Sequence, residues 1–272
     1  LDNPLNSYYN YFSPPSQRIN KNLNYANLSS IKTQLQKNNK STKYISSPLL
    51  NYDKPIISKK NNKKTRKKTL ILDLDETLVH SGFNKFNRKS DIVLNINIDG
   101  RNHTIYVLKR PCVDEFLREI SKFFEIFIFT ASISQYASPL LDELDKENIC
   151  DGRFFREHCV YNSGLYLKDL KQIGKDLKDV IIIDNNPVSY VLNQDNGIPI
   201  LTWYDNLNDN ELNKLIPLLR YLSKVDDVRP VIKQIVDREK NALNFDVVDS
   251  LIKNDKNTIN GGNNNINHIN NR

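Results

Sequence analysis

Two aspartates separated by one residue, Asp73 and Asp75 in "TLILDLDETLVHSGF" (69–83), close an apolar run that reads as buried strand. A carboxylate at such a strand end can attack phosphorus, and a second one two residues on lies on the same side of extended backbone, within reach of the leaving oxygen. Phosphoryl transfer of this kind also calls for magnesium and fixed cations, because a carboxylate repels a phosphate. Other readings fail on spacing. An EF-hand loop needs glycine where Leu78 stands, and Gly174-Lys175 lacks both the upstream glycine and the following Ser or Thr of a Walker A loop.

Other elements must bring further groups to these carboxylates. "TLILD" (69–73), "FEIFIFT" (124–130) and "VIIID" (180–184) are short apolar runs without polar alternation, as expected of buried parallel strands, and "IPIL" (198–201) is a fourth candidate. Between them, Pro111 suits a first helical position before Val113, Phe116, Leu117 and Ile120. Ser132 with Gln135 reads as a capping box, with Pro139 expected to kink or shorten the helix that follows. Asn208 with Glu211 caps a third helix with the stripe Leu212, Leu215, Ile216, Leu219 and Leu222. Residues 86–110 alternate at period two around Asp99-Gly100, which predicts an antiparallel hairpin. The fold class is therefore α/β: an open parallel sheet flanked by helices, with a small antiparallel β insertion after the first strand. Asp73, Thr130 and Asp184 end three parallel strands and should converge on one crevice, with Lys168 and Asn185 as candidates to join them.

Charge separates this core from its flanks. Residues 1–68 hold 14 Lys and Arg against Asp2 and Asp53, whereas the whole chain carries +7, so the basic character belongs to the N-terminal segment. Residues 1–66 are rich in Asn, Ser and Lys and read as a disordered tail; 67–240 form the folded domain; 241–272 are a low-complexity Asn-rich tail. No run approaches a membrane span, and the absence of Met even at position 1 suggests a piece of a longer chain, with an upstream targeting or membrane segment possible in principle. Cys112, Cys150 and Cys159 are odd in number without a C-x-x-C pair, which argues against a disulfide framework or zinc site. The basic block 59–68 fits a nuclear import signal, a nucleic-acid patch, an anionic-membrane contact or a merely solvated tail, and implies no specific nucleic-acid binding.

Six blocks in order, "ILDLDETLVHSGF", "YVLKRPCVDEF", "FEIFIFTAS", "FFREHCVYNSGLYLKDL", "IIIDNNPVSY" and "TWYDN", resemble the small C-terminal-domain phosphatases of the haloacid dehalogenase superfamily. The resemblance implies an Mg2+-dependent protein serine/threonine phosphatase. In it Asp73 attacks phosphorus, Asp75 protonates the leaving oxygen and then activates water, and Thr130 and Lys168 hold phosphate oxygens. Magnesium would sit on an Asp73 oxygen, the Asp75 carbonyl and the Asn185 side chain, with Asp184 beside it. Glu76 receives no chemical duty, and Thr77 orients the loop.

The resemblance further implies phosphoserine peptides with a nearby proline as substrates, notably the RNA polymerase II C-terminal repeats, and a nuclear location. Phe83, Ile105, Ile133 and Tyr136 match positions of an apolar pocket for that proline, and Arg156 an arginine near the peptide path. Ordinary core packing would select the same apolar residue types. Two relatives compete: a nuclear-envelope or endoplasmic-reticulum phosphatase acting on a lipid-metabolism enzyme, and a non-catalytic presequence-binding subunit of mitochondrial import. The second is disfavoured because Asp73, Asp75, Thr130, Lys168, Asp184 and Asn185 are all present.

Overall fold

Strands without polar alternation must be covered on both faces, and the central sheet shows how. In the computed structural model, which describes residues 67–238, β1 (Lys68–Leu72), β5 (Phe124–Phe129) and β9 (Val180–Asp184) form its middle. With β6 (Gly152–Phe154) and β10 (Gly197–Pro199) at the edges, the order is β10-β9-β1-β5-β6, parallel throughout. The expected tails 1–66 and 241–272 lie outside the described residues. The strand expected over 198–201 starts and stops earlier. Edge strand β6 was not anticipated, being short and polar; a Cβ on its Gly152 would sit 2.8 Å from the Phe127 ring.

Alternate residues of each central strand enter separate cores. Leu70, Leu72, Ile126, Ile128, Ile181 and Ile183 join the cluster built with α1 (Val113–Ile120), α2 (Ser134–Leu144), α3 (Glu211–Leu222) and α4 (Val228–Arg238). Ile71, Phe127, Phe129, Val180 and Ile182 face the other way, onto Phe154, Cys159, Leu170, Ile173 and Tyr190, so irregular chain and short 3-10 turns cover that face.

The expected hairpin is β3 (Ile92–Ile98) and β4 (Arg101–Lys109), turned by Asp99 and Gly100 at φ 50° and 81°. These angles suit the primed turn that matches strand twist. β2 (Val79–Gly82) adds a third antiparallel strand on β4, directly after the Asp73–Thr77 loop. A second hairpin, β7 (Val160–Asn162) and β8 (Leu165–Leu167), uses the same device at Ser163-Gly164 and delivers Lys168 at its end.

Helix starts differ from the sequence reading in each case. Pro111 lies before α1, whose N-cap is Cys112 in a left-handed conformation. No side chain of its own caps α2: Ser132 is spent elsewhere, and Glu157 accepts hydrogen bonds from the Ser134 amide and hydroxyl at 3.1 and 2.6 Å. Pro139 sits inside α2, which continues to Leu144. At α3 the Glu211 amide turns to Asp209 rather than Asn208, and Leu218 joins the buried stripe while Ile216 is only partly covered.

Asp209 also accepts a two-pronged pair of hydrogen bonds from Arg110, each 2.8 Å, and Arg110 Nη1 donates to the Thr77 carbonyl at 3.0 Å. The guanidinium is fully buried and ties β4, the Asp73–Thr77 loop and α3 together. Removing it leaves a largely buried carboxylate and a buried carbonyl short of partners, so Arg110→Ala should lower unfolding free energy by about 3 kcal/mol. Arg110→Lys, which lacks the planar fork, should restore little of it. Urea unfolding at constant pH reads both; wild-type midpoints would refute the assignment.

Candidate active site

Asp73 leaves the end of β1 with its amide still in the ladder, donating to the Ile183 carbonyl at 3.0 Å. Its two carboxylate oxygens have different partners. Oδ1 accepts from Lys168 Nζ at 2.6 Å, and Oδ2 from Thr77 Oγ1 at 2.9 Å. Lys168 Nζ also donates to Asp184 Oδ2 at 2.7 Å, and Asp184 Oδ1 accepts from the Asn186 amide at 2.7 Å. Lys168 and Asp184 are each only 1% exposed and Asp73 5%, so this is a desolvated carboxylate–ammonium–carboxylate row. Burial works against the Lys168 ammonium, but Asp184 and Asp73 outweigh it and hold its pKa above the ordinary lysine range. Burial, aided by the Asp73 charge, pushes the Asp184 carboxyl up, while Lys168 pulls it back.

Asp75 is set in a different environment. Oδ1 accepts from Tyr136 Oη at 2.7 Å and Oδ2 from Ser132 Oγ at 2.7 Å, with Thr130 Oγ1 at 3.4 Å. Ser81 Oγ lies 2.6 Å from Tyr136 Oη. Burial pushes the Asp75 carboxyl up to about 6, reinforced by the Glu76 charge and opposed by the Ser132 and Tyr136 hydroxyls. Asp73 is thus held beside an ammonium, whereas burial makes both Asp75 and Asp184 reluctant to ionise.

The intervening turn is held by its backbone. Glu76 has φ 60°, unusual for a residue with a side chain; its amide donates to the Val79 carbonyl at 2.7 Å, and its carbonyl accepts from the Trp203 amide at 2.9 Å. The Glu76 carboxylate meets His80 Nδ1 at 3.2 Å. Asn185 Oδ1 lies 3.3 Å from Thr77 Oγ1, whose single hydrogen goes to Asp73, while Nδ2 donates to Thr202 Oγ1 at 3.2 Å.

The sequence-derived residues therefore divide. Asp73, Asp75, Thr130, Lys168, Asp184 and Asn185 come together at the carboxyl ends of β1, β5 and β9. Of the pocket residues, Phe83 and Ile133 are partly exposed and pack on the main core, but Ile105 and Tyr136 are fully buried in it and present no surface to a peptide. Arg156 is half-buried, donating from Nε to the Ala131 carbonyl at 2.6 Å with its guanidinium 4.9 Å from the Tyr166 ring centroid. Sequence reading placed Ser132 in a helix cap and did not single out Ser81 or Thr202 for the site. Ser132 lies before α2, with Ile133 extended between them, so no helical spacing could have paired it with Tyr136.

The residues present suit a hard cation. Asp73 and Asp184 flank one buried ammonium, buried Asp75 lies on the same loop as Asp73, and the Asn185 amide oxygen lies 3.3 Å from Thr77 Oγ1 beside them, all oxygen groups of the kind a hard cation takes. Among the described residues no three His, Cys, Asp or Glu side chains converge as a cage by themselves.

Comparison with known proteins places the chain in a family. Residues 68–229 match the family model described as NLI interacting factor-like phosphatase. The human carboxy-terminal domain RNA polymerase II polypeptide A small phosphatase 1 is 50% identical over 139 residues, covering 51% of this chain and 53% of that protein. Phosphatase Herzog of Drosophila melanogaster is 50% identical over 137 residues, covering 50% and 39%. The chain thus spans about half or less of these relatives' length. Among solved structures, that of Fcp1, an essential RNA polymerase II CTD phosphatase, superposes with TM-score 0.52 at 18% identity over 67% of this chain and 69% of that one, which shows a shared fold.

A raised Asp75 pKa has a thermodynamic consequence. The folded state holds this proton up to about pH 6, whereas the unfolded chain releases it near 3.8. The stabilisation is therefore complete below pH 4 and lost as pH rises through 6. In metal-free solution, the stability of Asp75→Asn relative to wild type should increase from pH 4 to 7. Urea titrations in EDTA measure this gap, and a gap independent of pH would contradict it.

Proposed function

The chain belongs to the NLI interacting factor-like phosphatase family, and from that premise we propose that it is a magnesium-dependent protein serine/threonine phosphatase working through an aspartyl-phosphate on Asp73. The observation that carries this reading is the pairing of Asp73, fixed by Lys168 and Thr77, with Asp75, whose proton is retained by burial. An Asp73 oxygen forms a bond to phosphorus as the bond to the serine oxygen breaks, and Asp75 gives that oxygen its proton. Asp75, now a carboxylate, takes a proton from water as the water oxygen attacks phosphorus and the bond to Asp73 breaks. In this reading Lys168 and Thr130 meet phosphate oxygens, and exclusion of bulk water strengthens every charge interaction here. Magnesium, when bound by Asp73, the Asp75 carbonyl and Asn185 beside Asp184, supplies the positive charge that offsets repulsion between nucleophile and phosphate.

Phosphopeptides carrying Ser-Pro, such as RNA polymerase II C-terminal repeats, are the substrates this reading favours. Support comes from the relatives' names and from the partly exposed Phe83 and Ile133. A nuclear location belongs to the same proposal and is supported by the basic block 59–68. Among the described residues no helix is long and apolar enough to cross a membrane.

Asp73→Asn should abolish turnover of p-nitrophenyl phosphate, and Asp75→Asn should cut turnover of a phosphoserine peptide by roughly 10²–10⁴ while remaining folded. A panel of Ser-Pro and non-Pro phosphopeptides with and without magnesium, with Asp73→Asn as blank, decides the matter. Robust activity of that blank would exclude the covalent mechanism, and folded wild type inactive on every peptide would exclude the phosphatase reading.

A further inference from the structure

We infer that Ser132 and Tyr136, supported by Ser81, are positioning residues that lock the Asp75 carboxyl group in the orientation needed for proton transfer. The inference rests on the phosphatase reading above, in which Asp75 is the acid and base.

The geometry separates this role from ordinary core packing. Tyr136 is fully buried, so its hydroxyl has no reach to solvent or peptide, and a buried phenol must find a partner. Its partner is the one carboxylate of the site that no ammonium holds. Tyr136 takes Oδ1 and Ser132 takes Oδ2, at 2.7 Å each. With both oxygens bound from one helix start, the group cannot turn about its terminal torsion without losing a hydrogen bond on each side. Tyr136 lies in the first turn of α2 and Ser132 in the bend just before it, and both reach a loop that belongs to a different strand.

Proton counting fixes the direction. A phenol has one hydrogen, so when Asp75 is ionised Tyr136 donates to Oδ1 and Ser81 donates to the phenol oxygen, 2.6 Å away. Ser81 lies on β2, the first strand of the insertion, and so ties Tyr136 of α2 to a second element. Ser132 has a second tie, its amide donating to Thr130 Oγ1 at 3.0 Å, so the residue that orients the acid also orients a phosphate-side hydroxyl. The start of α2 is itself pinned by Glu157 through the Ser134 amide and hydroxyl. Positioning therefore reaches Asp75 from the start of α2 and from β2 through the hydroxyls of Ser132, Tyr136 and Ser81.

The test uses Tyr136→Phe and Ser132→Ala, which remove one oxygen each, their double variant, and Ser132→Thr, which keeps the hydroxyl. Each is assayed with magnesium on a phosphoserine peptide and on p-nitrophenyl phosphate, whose leaving group departs without a proton. On the peptide, kcat should fall about 10-fold to 100-fold for Tyr136→Phe and for Ser132→Ala, with KM little changed. The pre-steady-state burst of p-nitrophenolate should keep its rate, and Ser132→Thr should recover most of the peptide activity. Ser81→Ala, acting through Tyr136, should show a smaller loss of the same kind. Circular dichroism melts identify any variant that does not fold; the remaining ones then carry the test. Wild-type kcat in folded Tyr136→Phe, Ser132→Ala and the double variant, alongside an inactive Asp75→Asn, would overturn the inference and leave the phosphatase reading standing. So would equal losses in the burst and on the peptide, which mark a general structural effect. A wild type inactive on both substrates would overturn the phosphatase reading and this inference with it.

Discussion

The Lys168 ammonium wedged between Asp73 and Asp184 is the constraint on which the structure turns. Desolvating an ion costs several kcal/mol, and here three buried groups are desolvated together, so none is tolerable without the others. Asp73 arrives from β1, Asp184 from β9 and Lys168 from the end of hairpin β7–β8. The row therefore joins three separate parts of the chain, and its geometry depends on parallel strands ending at a common edge. The row sets two carboxylates against one ammonium.

Around that row, backbone contacts set the distances. Arg110 binds the Thr77 carbonyl and Asp209, and the Trp203 amide binds the Glu76 carbonyl, so the loop bearing both aspartates is gripped from β4 and from the segment before α3. Buried Trp203 anchors that segment. The left-handed Glu76 fits this picture: its backbone conformation is held by hydrogen bonds on both sides, while its side chain turns to His80 and raises the proton affinity of Asp75 only through charge. Glu76 is thus not indifferent to the chemistry, although nothing places it against a substrate.

Much of this was readable before any coordinates. Uninterrupted apolar runs identified β1, β5 and β9, since only strands covered on both faces can do without polar alternation. Asp99-Gly100 identified the hairpin because few sequences accept two consecutive positive φ angles. The polar residues at the strand ends then assembled themselves by topology. Short elements were harder. β6 and β7–β8 carry three residues per strand, too few to show a period, and β10 ended before its apolar letters did. Helix caps failed for a different reason: Ser132 has a capping residue's identity but a stronger claimant in Asp75.

By itself, then, the sequence determined the sheet, the insertion and the set of charged groups at one edge, because strand burial and hydrogen-bond periodicity are local properties. Only the tertiary structure decided how those groups share their partners. Whether Tyr136 and Ile105 are surface or core, and which carboxylates are pushed towards their protonated form, depend on burial and on atoms distant in the chain. Those quantities arise from packing, and no residue type or spacing encodes them.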